Sequence, residues 1–107
     1  MTTSADFQAL FQRGKRIDRP AVLLLWRETT GPTRVGFAVS RQIRSAVDRN
    51  RVKRRLREAY RAARAAAPGR AALVLVGRPA ALREPFEALT REVRSALTAV
   101  EARRVAP

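Results

Sequence analysis

Residues Arg49 to Arg61 read RNRVKRRLREAYR. Seven of these thirteen residues are Arg or Lys and one is acidic. The run nevertheless has a pattern. Val52, Leu56, Ala59 and Ala63 recur at spacings of four, three and four, the period of one helix face. At about 100° per residue they fall in one narrow arc, with Tyr60 at its edge. Arg49, Lys53 and Arg57 form a row beside that arc, and Asn50, Arg54, Arg61 and Arg64 continue round the exposed side. The pattern predicts a helix over about Ser45 to Ala67, with one buried stripe and a cationic flank, ended by Pro68-Gly69. Such a surface suits a polyphosphate.

Working outward, the flanks read as strands. Arg34 to Ser40, RVGFAVS, alternates, with Val35, Phe37 and Val39 on one side and Gly36, Ala38 and Ser40 on the other. Ala71 to Gly77, AALVLVG, is a second apolar strand, closed by Pro79. Upstream, Ala21 to Arg27, AVLLLWR, is apolar on both faces and reads as a central strand, and residues 15–19 read as a short edge strand. Gly31-Pro32 marks the intervening turn. Ser4 and Asp6 can cap a first helix bearing Phe7, Leu10 and Phe11, stopped by Gly14. A last helix over about Pro85 to Arg103 carries the stripe Phe86, Leu89, Val93, Leu97 and Val100. The order is α-β-β-β-α-β-α. The expected fold is an α+β two-layer sandwich, a four-stranded sheet with helices packed on it, built on one core as a single domain over residues 1–107.

Composition narrows function. Net charge is +14, from 23 basic and 9 acidic residues, and 21 of the basic residues are Arg. Arg41 to Arg64 alone holds ten basic and two acidic residues. Nucleic acid is the partner that neutralises such a surface. The high Arg share, beside 20 Ala and two Lys, fits a G+C-rich coding bias. There is no Cys and no His, so no disulfide framework and no His base. The acids are scattered, without a cluster for Mg²⁺. Catalytic and metal-ligating residues are therefore expected to be absent from the protein. The N-terminus lacks a signal-peptide pattern and the longest apolar run is too short to span a bilayer, so a cytoplasmic protein without membrane contact is expected.

Three residues admit a stacking role. Phe7 and Phe11 read either as core of the first helix or as rings flanking a cleft for unpaired bases. Trp26 reads more readily as core. Asn50, set among arginines, can donate and accept towards a phosphate, sugar or base edge.

The segment VGFAVSRQIRSAVDRNRVKRRLREAYR, Val35 to Arg61, resembles the signature region of the protein subunit of bacterial ribonuclease P. Asp6-Phe7, Phe11 and Gly14 match that family's first helix, and GRPAA at Gly77 to Ala81 resembles its segment after the last strand. The resemblance implies a left-handed crossover around the basic helix, where pattern reasoning alone selects a right-handed one. It implies that a partner RNA is the catalyst and uses Mg²⁺, that the protein itself binds no cofactor, and that a cleft between the first helix and the sheet holds the precursor tRNA 5′ leader. It implies a monomer in a 1:1 complex with that RNA. By position, Arg41, Arg49, Asn50, Arg51, Lys53, Arg54, Arg57 and Arg61 are its RNA-binding residues, and Phe7, Phe11 and Trp26 its leader-cleft candidates. Gln42 stands where a second basic residue is usual, Arg44 replaces a common glycine, and either Leu25 or Trp26 falls at a cleft position. The competing reading is a ribosomal or other structural RNA-binding protein. A basic-zipper helix lacks its leucine heptads here, and a membrane-surface helix would want larger apolar residues than Ala59 and Ala63.

Overall fold

The structure is a computed structural model and describes residues 14–105; the expected first helix, with Phe7 and Phe11, lies outside the described residues. Four strands, β1 (Lys15–Asp18), β2 (Val22–Glu28), β3 (Arg34–Val39) and β4 (Ala71–Gly77), form one sheet in the order β1-β2-β4-β3. β1 and β4 each run antiparallel to β2, whereas β3 runs parallel to β4. The parallel pair is joined by the basic helix α1 (Ala46–Ala62), and helix α2 (Phe86–Val105) follows β4. The interior strands β2 and β4 are the two that read as apolar runs, as strands covered on both sides should.

The alternation of side chains sorts the sheet into two faces. Ile17, Val22, Leu24, Trp26, Leu73 and Leu75 point to the face shared with Val52, Leu56 and Ala59 of α1 and Leu89, Val93, Leu97 and Val100 of α2. Leu23, Leu25, Ala72, Val74 and Val76, with Ala38, make a second apolar cluster on the opposite face. Both described helices therefore pack on one side.

The close approach of α1 to the sheet depends on a glycine at the end of β4. A Cβ built on Gly77 would lie 2.2 Å from Val52 Cγ1 and 3.1 Å from Leu56 Cδ1. Only a glycine there lets α1 settle against the end of β4.

α1 is shorter than its apolar period suggests. Ser45 caps it, its Oγ accepting from the Asp48 amide at 3.3 Å, and Asp48 places a negative charge in the first turn. At its end the Ala63 amide donates to both Ala59 and Tyr60 carbonyls, and residues Arg64–Ala66 tighten into a 3₁₀ turn. Pro68 explains the unwinding, because the residue before a proline is driven out of the helical region. Ala67 accordingly sits at φ −68°, ψ 134°. Arg70, the next residue but one after Pro68, takes the left-handed φ of 53° as the chain turns into β4.

Candidate RNA interface

The connection from β3 to α1 is held by the chain's own hydrogen bonds. Ser40 Oγ accepts from the Gln42 amide at 3.2 Å, and the Ile43 amide donates to the Ser40 carbonyl at 3.1 Å. Arg49 then reaches back from the first turns of α1. One of its terminal nitrogens donates to the carbonyls of Ser40 (3.2 Å) and Ile43 (2.9 Å). Arg44 keeps a negative φ, so the turn does not depend on the glycine it replaces.

Arg49, expected among the RNA-binding residues, is thus half-buried and has one terminal nitrogen committed to fixing the helix start. Arg55 is similarly committed and donates to the Glu84 carbonyl across the gap to the segment before α2. The remaining cations differ. Arg51, Arg54, Arg57 and Arg61 are exposed and Lys53 is half-buried. Among the described residues none of these five side chains makes a hydrogen bond or an ion pair. Asn50 and Arg41 are also exposed.

Trp26 does not join this surface. It is fully buried on the helix-covered face, with Lys15 Nζ 4.9 Å above its ring, and no unpaired base could reach it. The leader-cleft assignment for Trp26 is therefore corrected. Period-two alternation sends Trp26 to one face of the sheet and Leu25, its neighbour, to the other. Of the two residues at that family position, Leu25 is the one on the face away from α1 and α2, and it carries no aromatic ring.

The structure sets two of the expected RNA-binding residues, Arg57 and Arg61, in a group whose other members the sequence did not assign to a site. Thr33, just before edge strand β3, and Val35 and Phe37 within it face Arg57, Tyr60, Arg61 and Arg64 across a cleft of about 330 Å³. Phe37 and Tyr60 meet edge to face, with ring centroids 6.0 Å apart and planes at 75°. Burial pushes the Tyr60 hydroxyl above its ordinary range, with Arg64 opposing, so it stays protonated at neutral pH. The only sequence signals for this group were the position of Tyr60 at the edge of the helical arc and of Phe37 on an alternating strand.

An α+β sandwich that holds one polybasic helix rigidly, its charges turned outward, belongs in kind to the nucleic-acid-binding domains. The comparisons with known proteins are specific. The family model for Ribonuclease P matches residues 1–101. A ribonuclease P protein component from Kocuria rhizophila is 42% identical over 98 residues, covering 91% of this chain and 87% of that protein. One from Gluconacetobacter diazotrophicus is 38% identical over 96 residues, covering 87% and 83%. The RNase P protein from Thermotoga maritima superposes with a TM-score of 0.78 at 25% identity, over 88% of this chain and 90% of that one. The Staphylococcus aureus RNase P protein has the same fold, with a TM-score of 0.74 at 19% identity over 94% of each chain. This chain belongs to the ribonuclease P protein family. Its role is that of the protein component of a ribonucleoprotein endonuclease that matures tRNA 5′ ends, with catalysis in the partner RNA.

Proposed function

We propose that the α1 cations left unpaired among the described residues, Arg51, Lys53, Arg54, Arg57 and Arg61, dock the ribonuclease P RNA, and that a cleft between the segment bearing Phe7 and Phe11 and the sheet serves the precursor tRNA 5′ leader. The observation that carries the first half is the division of labour on α1: Arg49 and Arg55 bond the protein's own carbonyls, and the other five cations have no partner among the described residues. Uncommitted guanidinium groups on a rigid helix can grip phosphates bidentately without first breaking internal bonds. The second half rests on the family resemblance alone: Leu23, Leu25 and Val74 lie on the sheet face opposite α1 and α2 and are themselves buried, so they floor that side of the sheet and offer no open surface to a base. Phe7 and Phe11 would supply the stacking rings from the segment preceding β1.

In this reading the protein contributes positioning and charge neutralisation, binds as one copy per RNA, works in the cytoplasm and leaves Mg²⁺ to the RNA. No helix among the described residues is long and apolar enough to cross a membrane. The test is reconstitution. Added to a bacterial ribonuclease P RNA at low Mg²⁺, the protein should restore cleavage of precursor tRNA at the 5′ end of the mature sequence, while RNA-free protein should cleave nothing. Association with ribosomes in place of such activity would favour a purely structural RNA-binding role. Phe11→Leu should weaken leader-bearing precursor by roughly 1 kcal/mol, the low end of base stacking. Mature tRNA should bind as before, and equal losses for both would reject the leader assignment.

A further inference from the structure

The cleft between β3 and the end of α1 adjoins the cationic surface just assigned, sharing Arg57 and Arg61 with it, and adds aromatic walls that the rest of that surface lacks. It lies at the outer edge of the sheet, since β3 pairs only with β4, and on the helix-covered side, opposite the Leu23–Leu25 face. Its walls are of two kinds. Arg57, Arg61 and Arg64, at spacings of four and three, project from one side of α1 and the turn that follows it. None of the three donates a side-chain hydrogen bond or joins an ion pair among the described residues. Between them and the strand lie the half-buried rings of Phe37 and Tyr60 with Val35.

The far end is fixed. Thr33 Oγ1 donates to the Pro68 carbonyl at 2.6 Å and accepts from the Ala71 amide at 3.3 Å, so its hydroxyl braces the loop and is not offered to a ligand. The unwinding after Ala62 thereby acquires a consequence: it sets Arg64 at the cleft rim while the chain returns to β4.

We infer that this cleft takes one unpaired nucleotide of an RNA partner, its base against the Phe37–Tyr60 pair and its flanking phosphates on Arg57, Arg61 and Arg64. The inference rests on the chain's role as an RNA-binding subunit and deepens it, adding a base contact at Phe37 and Tyr60 to phosphate contacts that include Arg57 and Arg61. Duplex RNA offers phosphates without a free base face, because its bases are stacked in the helix. A cleft that joins aromatic rings to three guanidinium groups fits a splayed-out nucleotide. The protonated Tyr60 hydroxyl can donate to a base or ribose oxygen. An acidic peptide would satisfy the arginines but would leave the ring pair without a planar partner.

Tyr60 is the chain's single tyrosine, so ¹³C-tyrosine labelling of the full-length protein reports on this cleft alone. The probes are a single-stranded RNA hexamer, the same hexamer paired with its complement, and tripolyphosphate. The single strand should shift the Tyr60 ring signals through the ring current of a stacked base, and the other two should leave them in place. In the double variant Arg61→Ala, Arg64→Ala, both exposed positions, the salt slope for the hexamer should become shallower by about 0.7 per lost phosphate contact. Tyr60→Leu, checked for an unchanged fold, should weaken the hexamer about tenfold, a loss within the range of one base stack. Equal shifts from the duplex or from tripolyphosphate would overturn the inference, as would a hexamer that binds without moving Tyr60. Cleavage by the wild-type protein reconstituted with ribonuclease P RNA reads the family role separately. Intact cleavage with an unmoved Tyr60 rejects the nucleotide cleft alone.

Discussion

The two described helices pack on the same face of one sheet, yet they use arginine in opposite ways. α1 carries seven basic and two acidic residues over its seventeen, and five of those cations have no partner among the described residues. α2 carries four basic and three acidic residues over its twenty. Its last two arginines are spent on the protein. Arg103 donates to the Arg16 carbonyl at 2.7 Å, and Arg104 to the carbonyls of Gly69 (2.5 Å) and Arg70 (3.3 Å). These bonds tie the end of α2 to β1 and to the turn before β4.

The packing stripes differ as well. α2 buries Leu89, Val93, Leu97 and Val100, whereas α1 buries Val52, Leu56 and Ala59 and relies on Gly77 for close approach. The helix that carries the field thus buries smaller side chains and is fixed also by two of its own arginines. The helix with the larger apolar stripe is nearly neutral. Charge counts alone do not reveal this division; hydrogen-bond partners do.

The sharpest way to break the comparison is to push α1 off the sheet. Gly77→Ala places a methyl group into Val52, so it should cost about 1–3 kcal/mol, the range of overpacked cores. RNA affinity should fall with it, because the helix must shift. Thermal melting with parallel RNA titration checks this, and a variant as stable as the parent would show that α1 is held otherwise.

Next comes the distinction within α1. Arg49→Ala removes charge-assisted bonds to Ser40 and Ile43 and should lower stability by about 1 kcal/mol. Arg54→Ala, at an exposed position, should stay within about 0.5 kcal/mol. Denaturant melts of the two variants compare them directly, and equal stabilities would erase the distinction between committed and free arginines.

The smallest effect concerns the seam between the helices. Burial raises the Glu84 carboxyl above its ordinary range, the neighbouring Glu92 carboxylate adds to this, and Arg55 opposes it. A raised folded-state value means that the stabilising form is the protonated one. Its contribution is present below the unfolded value near pH 4 and is lost as pH rises through the folded one. At pH 7 the charged Glu84 is thus a small burden. Glu84→Gln should raise the melting temperature slightly at pH 7, a gain of about 0.5 kcal/mol or less. The gain should shrink on acidification towards pH 4, as a series of melts would show.

Most of the fold was legible because its periods are clean. The alternation of Arg34 to Ser40, the apolar runs that became β2 and β4, and the stripe Leu89-Val93-Leu97-Val100 each state their own environment, whereas Phe86, expected to begin that stripe, is exposed at the first turn of α2. The end of α1 was not legible from its stripe. Ala63 continues the apolar period and is buried, but Pro68 acts on the chain ahead of it. The basic surface was legible as a group and not member by member. Arg49 and Arg54 look alike in sequence, and only the backward reach of Arg49 to two carbonyls separates them. Trp26 shows the converse: a ring at a tempting position is decided by strand parity. The cleft of Phe37 and Tyr60 needed strand order as well, because nothing local says that β3 is an edge.

The central claim is that the free cations of α1, and not basic residues at large, hold the RNA. The direct measurement is the salt dependence of affinity for ribonuclease P RNA in three proteins: the parent, the triple variant Arg51→Ala, Arg54→Ala, Arg57→Ala, and the α2 variant Arg91→Ala, Arg94→Ala. All five altered positions are exposed. The triple variant should keep the parent's melting temperature and show a slope in log affinity against log salt shallower by about 0.7–0.9 per lost phosphate contact. The α2 variant should reproduce the parent's slope. Equal changes in the two variants, or a parental slope in the triple variant, would contradict the account.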